Sequence, residues 1–126
     1  MPIHRVLIIE GEPILRRELA SALTEAGFNV SDVSDYPQAL DVFDALKPNI
    51  AIVDEVLPSG EGKGLCSLLH HRNIPVILLG TDSSGEATIR ALEAGADFYF
   101  TKPAGHQELV ARVKALLRRY YKEAPV

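Results

Sequence analysis

Four clusters of chemically active side chains punctuate the chain: Glu10-Gly11-Glu12, Asp54-Glu55, Gly80-Thr81-Asp82 and Thr101-Lys102-Pro103. Each follows a short apolar run, where a buried segment would surface. Acidic groups close the runs ending at Ile9 and Val53, and a lysine closes the run ending at Phe100. If Asp54 and Lys102 met within a few ångströms, the ammonium would favour the ionised carboxylate. Such a pair holds a pocket in one shape without a ligand. Nothing local joins residues 10, 54 and 102, so the surrounding elements must bring them together.

Other candidates carry less. Gly60-Glu61-Gly62-Lys63-Gly64 resembles a phosphate-binding loop but has Gly64 where Ser or Thr must follow the lysine. His70 and His71 are adjacent, about 100° apart on a helix and poorly placed for one metal, and they suit a helix C-terminus. Cys66 reads as a small buried hydrophobe. Arg112, Lys114, Arg118, Arg119 and Lys122 make the last helix basic, as a solvated or partner-facing surface would be.

The apolar runs Val6–Ile9, Ile50–Val53, Val76–Leu79 and Phe98–Phe100 are continuous, as in strands covered on both faces. Val30-Ser31-Asp32-Val33 is mixed and suits an edge strand. Helical spacing separates them. Leu15, Leu19, Ala22, Leu23 and Ala26 share one face, as do Ala39, Leu40, Phe43 and Leu46, and later Leu109, Val113, Leu116, Leu117 and Tyr120. Two weaker helices span Glu61 to His71 and Ser84 to Ala94. Gly27 and Gly95 stop helices, Pro13 starts one, and Pro75 opens a strand. Five strand–helix repeats predict an α/β fold with a mostly parallel sheet and right-handed crossovers. In such a sheet, ligands bind beyond the carboxyl ends of the strands where their order reverses. That is where the four clusters fall.

The 126 residues suit one domain over residues 1–126, with Ala124-Pro125-Val126 frayed. Lys plus Arg number 13 against 17 Asp plus Glu, a net charge of -4 that gives no footprint for non-specific DNA binding. One cysteine makes no disulfide framework and fits a reducing, cytoplasmic setting. No apolar run approaches the roughly 18 residues of a membrane span, and none forms a signal-peptide core.

Taken in order, the motifs resemble the receiver domain of bacterial response regulators, the aspartate-phosphorylated half of two-component signalling. Residues 6–13, VLIIEGEP, are similar to that family's first strand and acidic cluster. Residues 50–58, IAIVDEVLP, resemble its third strand, with Gly62 and Leu65 at the following glycine and leucine. Residues 75–79 resemble the fourth strand, and residues 94–103, AGADFYFTKP, the fifth strand with its Lys-Pro end. The resemblance spans essentially the whole chain. It implies a flavodoxin-like, doubly wound sheet of five parallel strands in the order 2-1-3-4-5 with five helices.

By the same resemblance Asp54 is the phosphoacceptor and Lys102 the phosphoryl-pairing lysine. Magnesium would be held by Glu10, Asp54 and the backbone carbonyl of Val56. Tyr99 is the aromatic that moves on activation, and the Lys102–Pro103 bond is cis. Two positions depart. Gly11 replaces the aspartate that binds magnesium, and Gly80 replaces the Thr or Ser that reads the phosphoryl group. Thr81 comes one residue later, where strand alternation would turn it away from the site. Glu12 reads as a carboxylate at a helix N-terminus rather than a replacement ligand.

Two carboxylates and one lysine leave a formal charge of -1, against -2 for the usual three acids. Magnesium prefers oxygen ligands that include carboxylates, so the expected affinity is weak or nil. Loss of the hydroxyl at position 80 is expected to weaken coupling to Tyr99. The expected function is a receiver that accepts a phosphoryl group on Asp54 from a histidine kinase or phosphotransfer protein. It would signal to a downstream protein, or to a second copy, through the fourth helix, fifth strand and fifth helix. Any enzymatic activity would be confined to Asp54 itself. The alternative is a pseudo-receiver that docks partners without phosphate. A flavodoxin-like cofactor site is disfavoured because the acidic first loop would repel phosphate. No recognition helix is visible, so neither nucleic acid nor membrane is an expected partner of this domain alone.

Overall fold

The computed structural model describes residues 3–60, 62–102 and 105–122. The Lys102–Pro103 bond, Glu61 and the 124–126 tail lie outside the described residues. Strands β1 (Arg5–Ile9), β2 (Asn29–Val33), β3 (Ile50–Asp54), β4 (Val76–Gly80) and β5 (Phe98–Thr101) alternate with helices α1 (Pro13–Glu25), α2 (Tyr36–Leu46), α3 (Gly62–His71), α4 (Gly85–Glu93) and α5 (His106–Tyr120). All strand pairs are parallel, in the order β2-β1-β3-β4-β5. This is the expected doubly wound sheet.

Strand alternation sorts the apolar runs between two faces. Val6, Ile8, Ile50, Ile52, Ile77, Leu79 and Phe100 pack against Leu19 and Leu23 of α1 and Leu109, Val113 and Leu117 of α5. Leu7, Ile9, Ala51, Val53, Val76, Leu78 and Tyr99 meet α2, α3 and α4 through Ala39, Phe43, Leu65, Cys66, Leu69, Ala87 and Ala91. Central strands covered on both sides read as near-continuous apolar runs, and β3 breaks its run only where Asp54 closes it. Accordingly β3 and β4 are buried throughout, while edge strand β2 is only partly covered.

Helix punctuation follows the sequence. Pro13 opens α1, and Gly27 and Gly95 take left-handed backbone just past α1 and α4. Two helical-face assignments differ. Leu40 is 44% exposed because α2 turns only Ala39 and Phe43 fully inward. Tyr120, at 40% exposure, lies at the rim, where its hydroxyl donates to Asp97. Helix α4 buries Ala87 and Ala91 but exposes Ile89 and Leu92. Small residues against the sheet thus leave the larger apolar ones facing outward.

Among the described residues no helix is long and apolar enough to cross a membrane.

Candidate functional site

The order reversal around β1 and β3 opens a cleft at the carboxyl ends of the strands. Glu10 follows β1, Asp54 closes β3, Gly80 closes β4 and Lys102 follows β5. Parallel registers align these ends: Ile9 is level with Val53, Asp54 with Leu79, and Gly80 with Thr101. Lys102 is further fixed by donating its N–H to the Gly80 carbonyl at 2.6 Å.

The three distant charges meet. The Lys102 ammonium lies 3.0 Å from Glu10 Oε1 and 3.1 Å from Asp54 Oδ2. Glu10 is fully buried and Asp54 is 5% exposed; they are the two buried charged side chains among the described residues. Glu10 Oε2 accepts the Glu12 N–H at 3.0 Å and Asp54 Oδ1 accepts the Val56 N–H at 3.1 Å. The Glu10 carbonyl accepts from Arg16 at 2.8 Å, which ties α1 to this corner.

Burial, then the neighbouring Asp54 carboxylate, pushes the Glu10 carboxyl up to about 7. Burial pulls the Lys102 ammonium down, but its hydrogen bonds to Glu10 and Asp54 outweigh this and hold it above the ordinary lysine value. Burial and the second carboxylate thus outweigh the lowering pull of Lys102 on Glu10, while the two carboxylates together raise Lys102.

A cavity of about 480 Å³ opens onto Asp54 and Lys102, walled by Gly11, Glu12, Val56, Leu57, Pro58, Gly80 and Thr81. Two side chains stand differently from the sequence expectation. Thr81 lines this cleft because β4 ends at Gly80, so strand alternation no longer governs it. Glu12 reaches inward, with Oε2 3.6 Å from Lys102, although it is 67% exposed and also precedes α1. Val56 touches Asp54 through its N–H, while its side chain is largely exposed.

Glu10, Asp54 and Glu12 all face Lys102, and Gly11 offers no side-chain donor. A β-carbon at Gly11 would lie 3.2 Å from Pro58 Cδ, so the space there is narrow. Among the described residues no three His, Cys, Asp or Glu side chains are grouped to hold a metal.

Tyr99 is buried and turned inward, donating to the Asp82 carbonyl at 2.9 Å. Burial, then the Glu55 carboxylate, raises its pKa. Glu55 is the neighbour that sequence reasoning assigned no role. It faces Tyr99 at 3.5 Å and Lys63 at 3.6 Å, and its position directly after Asp54 was the available signal. Asp35 was also missed. Its carboxylate accepts from Tyr36 and Ser59, pinning the β3–α3 loop against the start of α2. Gly62 has a spatial reason to be glycine. A β-carbon there would collide with the backbone carbonyl oxygens of Asp54 and Glu55 and come within 2.8 Å of the Glu55 carbonyl carbon.

Comparison with known proteins agrees with this arrangement. Residues 6–114 match the family model for the response regulator receiver domain. The chain is 37% identical over 120 residues to the phosphate regulon transcriptional regulatory protein PhoB of Klebsiella pneumoniae, covering 92% of this chain and 52% of that protein. It is 41% identical over 115 residues to the sensory transduction protein RegX3 of Mycobacterium bovis, covering 90% and 51%. The chain therefore spans about half the length of these curated relatives. Among solved structures, the CheY-like receiver domain protein from Methanospirillum hungatei superposes with a TM-score of 0.88 at 26% identity, covering 98% of this chain and all of that one.

Proposed function

Because the chain belongs to the response regulator receiver domain family, we propose that it takes a phosphoryl group on Asp54 from a histidine kinase or phosphotransfer protein and passes the signal on by protein contact. The observation that supports this is the Asp54 carboxylate at the base of an open cleft, 3.1 Å from Lys102. In the transfer, a carboxylate oxygen of Asp54 bonds to phosphorus as the phosphorus–nitrogen bond of the phosphohistidine breaks, and the imidazole leaves with that electron pair. The protein's part is to position and to neutralise charge. Lys102 supplies a cation for the transferred oxygens. Glu10 opposes that charge less when protonated. With Gly11 and Gly80 in place, weak or negligible magnesium binding is part of this reading.

A second reading, docking without phosphate, is favoured by one feature: Tyr99 is already turned inward with no side chain at position 80. In either case the contact surface is the α4-β5-α5 face, toward a downstream protein or a second copy. It carries exposed Ile89 and Leu92 on α4 and, between β5 and α5, a cavity of about 380 Å³ lined by Phe98, Arg112 and Arg119. A cytoplasmic setting suits the buried free Cys66.

Intact mass after incubation with acetyl phosphate, with and without magnesium, tests the first reading. A gain of about 80 Da that Asp54→Ala abolishes is expected. No adduct under forcing conditions leaves the second reading.

A further inference from the structure

Glu12 stands at the turn into α1, yet its side chain makes no capping hydrogen bond to that helix. The carboxylate reaches over the cleft instead, to 3.6 Å from the Lys102 ammonium. Its backbone is held on both sides: the Glu12 N–H donates to Glu10 Oε2 at 3.0 Å, and its carbonyl accepts the Arg16 N–H at 2.9 Å. The side chain is 67% exposed, and among the described residues its carboxylate pairs with Lys102 alone.

The other two acids on Lys102 are fixed. Glu10 is fully buried, and Asp54 is buried with Oδ1 held by the Val56 N–H at 3.1 Å. Of three carboxylates sharing one ammonium, Glu12 is thus the one that can swing away, at little cost because an exposed ion pair is weak. It lines the same cavity as Asp54, so an anion entering that cavity meets its charge.

We propose that Glu12 is a charge screen over Lys102. It repels small phosphodonors that enter as bare anions, and it yields to a donor protein that sets a basic side chain beside its phosphohistidine. That side chain draws the Glu12 carboxylate outward and frees the ammonium for the phosphoryl oxygens. Glu12 forms no bond in the transfer; it determines which donor is used. The donor preference rests on Asp54 being the phosphoacceptor, and the screening of Lys102 does not.

Intact mass follows the full chain and Glu12→Gln during incubation with acetyl phosphate and magnesium. Asp54 bonds to phosphorus as the phosphorus–oxygen bond breaks, and acetate leaves with the electron pair. One unit charge about 4 Å away in water changes a rate about fivefold. Glu12→Gln should gain the adduct faster by that factor at low salt. The gap should close at about 1 M salt, where the screening length is about 3 Å. Glu25→Gln, the same charge change at the other end of α1, should leave the rate alone. Two short phosphohistidine peptides test the donor, one flanked by arginines and one by glutamines. The parent should prefer the arginine peptide about fivefold, and Glu12→Gln should use both alike.

A Glu12→Gln chain no faster with acetyl phosphate overturns the screen, and a slower one does so by showing that Glu12 attracts a cation. Equal use of the two peptides by the parent overturns the donor preference. If no donor labels the parent, the phosphoacceptor reading and the donor preference fall, and the reactivity of Lys102 decides the screen. Labelling at Lys102 by anionic trinitrobenzenesulfonate, relative to neutral acetic anhydride, should rise in Glu12→Gln; an unchanged ratio overturns the screen.

Discussion

At the scale of single residues, the site is a balance between one ammonium and the buried carboxylates it serves. Removing the ammonium leaves Glu10 and Asp54 facing each other in a poorly hydrated corner. Breaking one side of a buried ion pair costs about 3–5 kcal/mol. Lys102→Met should approach that loss at pH 8 and fall well short of it at pH 5, where Glu10 takes a proton; urea denaturation at the two pH values measures both. The Glu10 value also sets a trend for the unaltered chain in chelator. An acid whose folded pKa is about 7 against an ordinary 4.5 binds more protons folded than unfolded between those values. Stability therefore falls as pH rises from about 4.5 to 7. Glu10→Gln should flatten that slope, and an equally steep slope in the variant would show that another group titrates.

At the scale of elements, backbone proximity sets the demands. The start of α3 passes so close to the end of β3 that Gly62 has no room for a β-carbon beside the Asp54 and Glu55 carbonyls. Gly62→Ala must push α3 away from β3. Overpacking of this kind costs about 1–3 kcal/mol, and thermal melting should show the loss. Because the shift falls on the backbone of Asp54, the same variant should also slow any adduct formation. Helix α4 shows the opposite economy. It buries only Ala87 and Ala91, so little apolar area anchors it and the Ser84 cap and Tyr99 contact matter more.

At the scale of the whole molecule, the sheet joins two apolar layers into one cooperative unit. Ile52 faces α1 and α5, while Val53, the next residue, faces α2, α3 and α4. Truncating either side removes contacts from the same strand. Ile52→Ala and Val53→Ala should each lower a single unfolding midpoint, by about 2–5 kcal/mol for the isoleucine and less for the valine. Two separated transitions in either variant would mean that the layers unfold independently.

How much of this was legible in the sequence follows from what is local. Continuous runs such as Ile50–Val53 and helical spacing such as Leu109 with Val113 and Leu116 report burial directly, because period and polarity belong to the chain itself. With Gly27, Gly95 and Pro13 they determined the five strand–helix repeats, and strand ends pointed to residues 10, 54, 80 and 102. The inward reach of Glu12, the placement of Thr81 on the cleft wall and the seating of Tyr99 over Gly80 were decided only in three dimensions. Each depends on side chains from different strands sharing one small volume, and a linear sequence carries the identity of those groups but not their packing.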